Sequence, residues 1–186
     1  MDRNEAYRDG LWVQIEEAYG RIVYSYTTHH KMAQRLVKKN TIMKYAQIAL
    51  SAISTGGFIG AIITEEKALT CVGGIFSTLL LALNLFFKDF SLLDELKNHR
   101  ATADKLWVVR ESYISLMTDF VNLSDQEIIE KRDQLQSVVH EIYKIAPITD
   151  EKSYKEAQVA LKDNEEQFFN PDELDLILPA HLRKHK

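Results

Sequence analysis

One cysteine, three prolines and seven glycines stand among 186 residues. A single Cys71 excludes an intramolecular disulfide and any multi-cysteine zinc site, and it falls inside an apolar segment as a small packing residue. So few Gly and Pro exclude a low-complexity chain. Excess charge of one sign is missing too: the net charge of −4 gives no global basic field to attract nucleic acid. The chain lacks H-E-x-x-H, G-x-G-x-x-G, Walker and G-x-S-x-G patterns. Its histidines, His29, His30, His99, His140, His181 and His185, form no H-E-x-x-H, and no cysteine set supports them. No enzyme, cofactor or metal centre is expected from these residues.

What is present is two long uncharged runs. Tyr45 to Ile63 and Ala68 to Phe87 hold no Asp, Glu, Lys or Arg over 19 and 20 residues. At a rise of ~1.5 Å per residue each matches the ~30 Å hydrocarbon layer of a bilayer. Thr64, Glu65, Glu66 and Lys67 separate them, enough to reverse a helix and too short for another element. Residues 1–40 are charged and carry no secretory signal pattern, so both runs are expected to stay with the chain. Lys31, Arg35, Lys38, Lys39 and Lys44 precede the first run, and Lys88, Lys97 and Arg100 follow the second, against Lys67 in the turn. Eight basic residues against one place both termini in the cytoplasm. The competing reading is a soluble bundle with two buried core helices.

Two patterns decorate the runs. Ala52, Gly56 and Gly60, and likewise Gly74, Thr78 and Ala82, recur every four residues. Such ridges let helices pack closely, either within the hairpin or between hairpins. Gln47, Ser51 and Ser54 share a face of the first run, and Thr70, Ser77 and Asn84 are spaced by seven on the second. Polar groups at bilayer depth face water or another helix. Lining a pore and bonding a neighbouring helix both satisfy them.

Outside the runs the periodicity is helical. Leu11, Ile15, Tyr19, Ile22, Tyr26, Ala33, Leu36 and Val37 form one stripe, and Phe90, Leu93, Leu96, Ala103, Leu106, Trp107, Tyr113, Ile114, Met117 and Phe120 another. Ser124-Asp125-Gln126-Glu127 reads as a capping box opening a helix through Ile128, Leu135, Val138 and Ile142, which Pro147 ends. A helix through Tyr154, Ala157 and Leu161 follows, then a last one capped by Asn170 with Pro171 at its first position. The expected fold is all-α: a transmembrane hairpin over 45–87, an amphipathic helix over 1–44, and helices over 88–186 forming a cytoplasmic bundle in one domain.

The run Leu106-Trp107-x-x-Arg110-Glu111-x-Tyr113-x-x-Leu116, followed by Arg132-Asp133-x-Leu135, Tyr143, Pro147-x-Thr149 and Tyr154-x-x-Ala157, resembles the SLATT family. So do Leu161-Lys162 and the terminal Glu173-Leu174-Asp175-Leu176-Ile177-Leu178-Pro179, with Arg21 and Arg35-Leu36 fitting its pre-membrane helix. The resemblance covers nearly the whole chain and implies a bacterial two-transmembrane effector of nucleotide-linked defence systems. It implies a homo-oligomeric pore in the inner membrane, opened when a nucleotide-synthesising or nucleotide-sensing partner detects infection. The alternative is a non-conducting adaptor that docks a partner enzyme through 124–180, motivated by Phe168-Phe169 and the Leu-Asp-Leu-Ile-Leu-Pro segment.

Overall fold

The computed structural model describes residues 3–89, 91–169, 171–179, 181 and 183. Among the described residues six α-helices follow one another: α1 Arg3–Thr64, α2 Lys67–Asp89, α3 Leu92–Asp119, α4 Asp125–Ile145, α5 Glu151–Lys162 and α6 Pro171–Ile177. A 3₁₀ turn, Phe120–Asn122, joins α3 to α4. No strand occurs among the described residues, so the fold is all-α. The expected pre-membrane helix and first hydrophobic run are one uninterrupted helix. Residues 41–44, Thr-Ile-Met-Lys, contain no Pro or Gly to stop it, and propagating a helix is easier than starting a new one. The chain divides into two compact units, one of Met1–Lys31 with Ala103–Lys186, the other of Met32–Thr102.

The first unit is built on a seam of alternating three- and four-residue steps. Leu11, Ile15, Ala18 and Ile22 of α1 and Leu106, Val109, Tyr113 and Leu116 of α3 are buried in one cluster. Phe120, Ile128 and Ile142 complete it. A fully buried aliphatic or aromatic side chain contributes about 1.5–3 kcal/mol. Burial also pushes the Tyr113 phenol up from its ordinary value. Trp107 and Val138, read from sequence as part of the apolar stripes, are instead about half exposed. Trp107 sits one residue round the helix from Leu106, so the seam that buries Leu106 and Val109 turns it outward.

Local chemistry fixes the helix ends. Ser124 makes the expected capping box: its Oγ accepts from the Glu127 amide, and its own amide donates to Glu127 Oε2 at 2.8 Å. Ala146, extended ahead of Pro147, closes α4. Asp150 caps α5 by accepting from the Ser153 amide at 2.7 Å. That helix ends with the Glu166 amide donating back to the Ala160 carbonyl at 3.0 Å across a left-handed Glu165. Glu166 is held by Lys31 Nζ of α1 at 2.7 and 2.8 Å. The Asn170 cap lies outside the described residues, and α6 begins at Pro171.

Two carboxylates give this unit a pH dependence. Hydrogen bonds from Ser124 hold Glu127 below the usual glutamate range, and the Lys31 ammonium does the same for Glu166. Lowered folded values mean stability that is present above the ordinary glutamate pKa of about 4.3 and lost as pH falls through the folded values. Melting of the full chain in detergent is expected to hold from pH 7 to 5 and to fall below about pH 4. In Ser124→Ala, with the cap's hydroxyl gone, melting at pH 7 falls and the acid-induced drop is smaller. A melting temperature that stays level down to pH 3 would contradict this.

Candidate functional site

The second unit contains the hairpin. Thr64 ends α1 with its hydroxyl donating to the Gly60 carbonyl at 2.8 Å. Glu65 follows in the left-handed region at φ 55°, a conformation that terminates helices. Glu65 and Glu66 alone stand between α1 and α2, a tighter turn than the four residues read from charge. The two most apolar 18-residue windows are 11% and 6% buried, with Ile62 and Leu81 turned outward. A core helix of a soluble bundle would be covered. These two helices are long and apolar enough to cross a membrane, and they stand uncovered.

The two helices approach closely at Gly57 and Gly73. A Cβ on Gly57 would lie 3.1 Å from both Cα and N of Gly73 and 3.2 Å from the Leu69 carbonyl oxygen. One on Gly73 would lie 3.1 Å from the Ser54 carbonyl oxygen. A Cβ this close obliges the facing backbone to give by a few tenths of an ångström. Ser54 is buried at the same level and donates from Oγ to the Gly73 carbonyl at 3.1 Å. Nearer the open end, Gln47 Nε2 donates to Asn84 Oδ1 at 2.9 Å. Around that pair runs a furrow of about 750 Å³. Lys44, Gln47, Ser51 and Thr55 line it from α1, and Leu80 and Asn84 from α2.

The six polar residues read as candidate pore-lining therefore separate. Gln47, Ser51 and Asn84 share the furrow, Ser54 sits inside the hairpin contact, and Thr70 and Ser77 are exposed elsewhere on α2. The six small residues separate as well. Gly60 abuts Leu69, whereas Gly56 and Gly74 have open space where a side chain would stand. Ala52 and Gly56 floor the furrow. Thr78 donates to the Gly74 carbonyl of its own helix at 2.9 Å, and Ala82 is exposed.

Sequence reasoning missed Gly57, Gly73, Thr55 and the furrow-lining Lys44. A usable signal existed for the glycines. Gly57 lies eight residues before Glu65 and Gly73 seven after Glu66, so an antiparallel hairpin puts both at one depth. Among the described residues, no three His, Cys, Asp or Glu side chains gather into a metal site. The charge pairs Arg110–Glu111 and Arg132–Asp133 are ion pairs on their helices, and Arg132 also reaches Gln14 Oε1 at 2.9 Å. They are contacts of the bundle.

A family model described as SMODS and SLOG-associating 2TM effector domain, family 4, matches residues 11–173. Comparison with curated proteins and with solved structures gave no match.

Proposed function

The chain belongs to the SLATT family of SMODS- and SLOG-associating two-transmembrane effectors, and on that premise we propose that it is a pore-forming effector of a bacterial defence response. Its hairpins assemble in the inner membrane with both termini cytoplasmic, and the assembly dissipates the membrane potential and halts the infected cell. A nucleotide-synthesising or nucleotide-sensing protein supplies the trigger, and the chain itself performs no catalysis.

One observation carries this reading. The Gln47–Asn84 hydrogen bond uses one amide hydrogen and one carbonyl, leaving the rest of two carboxamides without a partner among the described residues. Ser51 and Thr55 extend the polar line down the same furrow. Lipid has no groups to receive them, and each unsatisfied polar group there costs several kcal/mol. A second hairpin, and water held between hairpins, satisfies them. The triple variant Gln47→Leu, Ser51→Leu, Asn84→Leu is expected to insert as the parent does and to lose most of the ion flux from vesicles loaded with a potassium gradient. Undiminished flux in that variant overturns the pore.

A non-conducting adaptor is favoured by a different observation, the exposure of Phe168, Phe169, Leu176 and Ile177 at the C-terminal end of the first unit. Under it, vesicles stay tight and a truncation at residue 165 loses a bound partner enzyme.

A further inference from the structure

No acidic residue occurs between Glu17 and Glu65, while Arg21, Lys31, Arg35, Lys38, Lys39 and Lys44 all lie in that interval. Four of the six fall within residues 35–44, immediately before the first hydrophobic run. Basic clusters at that position are drawn to anionic lipid headgroups. Here the cluster ends at a cavity. About 230 Å³ in volume, it is lined by the polar Asn40, Lys44 and Ser91 and by the apolar Met43, Phe87 and Leu93. Asn40 and Lys44 make no hydrogen bond or ion pair among the described residues. Ser91 is already engaged, since its hydroxyl donates to Asp94, and that carboxylate also faces Lys97.

Lys44 and Gln47 line both this cavity and the furrow. The cavity presents a cation and carboxamides beside Met43, Phe87 and Leu93. A soluble anion uses only the polar groups, and an alkane only the apolar ones. An amphiphile matches both.

We propose that this cavity is a binding site for one anionic glycerophospholipid in the unassembled chain. Its phosphate lies against the Lys44 ammonium and the Asn40 carboxamide, and its acyl chains leave past Phe87 and Leu93 into the bilayer. The proposal rests on the reading that the hairpin spans a bilayer.

The test uses the purified full chain in nanodiscs of phosphatidylcholine into which phosphatidylglycerol is titrated, with bound lipid counted by native mass spectrometry. Saturable retention of one phosphatidylglycerol per chain is expected. Lys44→Gln weakens it about tenfold and Lys44→Arg preserves it, while Lys39→Gln, off the cavity wall, weakens it about twofold. Equal losses in Lys44→Gln and Lys39→Gln overturn the site in favour of diffuse surface attraction, and so does equal retention of phosphatidylcholine. Displacement by millimolar glycerol phosphate also overturns it, in favour of a soluble anion. Flotation with pure phosphatidylcholine vesicles separates the two readings: a chain that floats but shows no anionic preference defeats the lipid site alone. A chain that does not float defeats the spanning hairpin as well.

Discussion

Gly57→Leu is expected to break the hairpin, and Gly56→Leu, one residue away, to leave it intact. The first substitution drives a side chain into Gly73 Cα, Gly73 N and the Leu69 carbonyl, all at 3.1–3.2 Å from the new Cβ. These are backbone atoms of a helix and cannot swing aside, so the spans must separate. Separation takes with it the Ser54 to Gly73 hydrogen bond. Overpacking of a tight contact costs about 1–3 kcal/mol, and an interhelical hydrogen bond in lipid about 0.6–2 kcal/mol, so a loss of about 3 kcal/mol is reasonable. The second substitution points into open space. Melting in micelles, with the distance between spin labels at the exposed Ile48 and Leu85, distinguishes them. Under the assembly proposed above, Gly56→Leu keeps the hairpin but lowers the cross-linked oligomer, since Gly56 floors the furrow. Equal destabilisation by the two variants would show that the Gly57 crossing does not hold the spans together.

That contrast marks where the sequence stopped being legible. The two long apolar helices, the capping box at Ser124 and the stop before Pro147 were readable because each is written in adjacent residues, as absence of charge, a Ser-x-x-Glu spacing or a missing amide. The rotation of one helix against another is written nowhere locally. Ala52, Gly56 and Gly60 make as regular a ridge as any, yet of its two glycines Gly60 alone meets α2, at the Leu69 side chain, and the backbone contact falls at Gly57, one residue round. Gln47, Ser51 and Ser54 fall on one face of a helical wheel, but a face is wide. Its edge at Ser54 turns into the hairpin while Ser51 lines the furrow beside Thr55. The same uncertainty affected α3. Periodicity found the helix, but choosing between Leu106 and its neighbour Trp107 needed the position of α1. The continuity of α1 through residue 44 was within reach, for nothing between Asn40 and Tyr45 breaks a helix. The change from charged to apolar composition suggested a boundary where the backbone has none.

Arg8 was wholly invisible in sequence, and replacing it is expected to be among the most damaging single changes in the first unit. Its guanidinium donates from Nη1 to Asp125 Oδ1 at 2.6 Å, and from Nη2 to the Phe120 and Leu123 carbonyls at 2.6 and 2.8 Å. It also lies 5.0 Å from the centre of the Phe120 ring, which Trp12 of α1 meets edge-on at 5.0 Å. The acceptors are more than a hundred residues away in the chain, so no local pattern marks them. They cluster because the 3₁₀ turn and the cap of α4 reverse the chain there, leaving the Leu123 carbonyl outside the helices and the Phe120 carbonyl with only the Leu123 amide at 3.4 Å. A planar fork reaches several acceptors at once, which an ammonium on a flexible stem does not. Hydrogen bonds to charged groups contribute about 1.5–3 kcal/mol, and those sharing one side chain do not add, so Arg8→Ala should cost about 2–3 kcal/mol. Arg8→Lys should recover less than half of that, and Asp125→Asn should cost about 1 kcal/mol or less because both carbonyls keep their donor. Thermal melts of the full chain in detergent give this ranking directly. If Arg8→Lys melts with the parent, positive charge near Asp125 is sufficient and the forked carbonyl contacts contribute nothing.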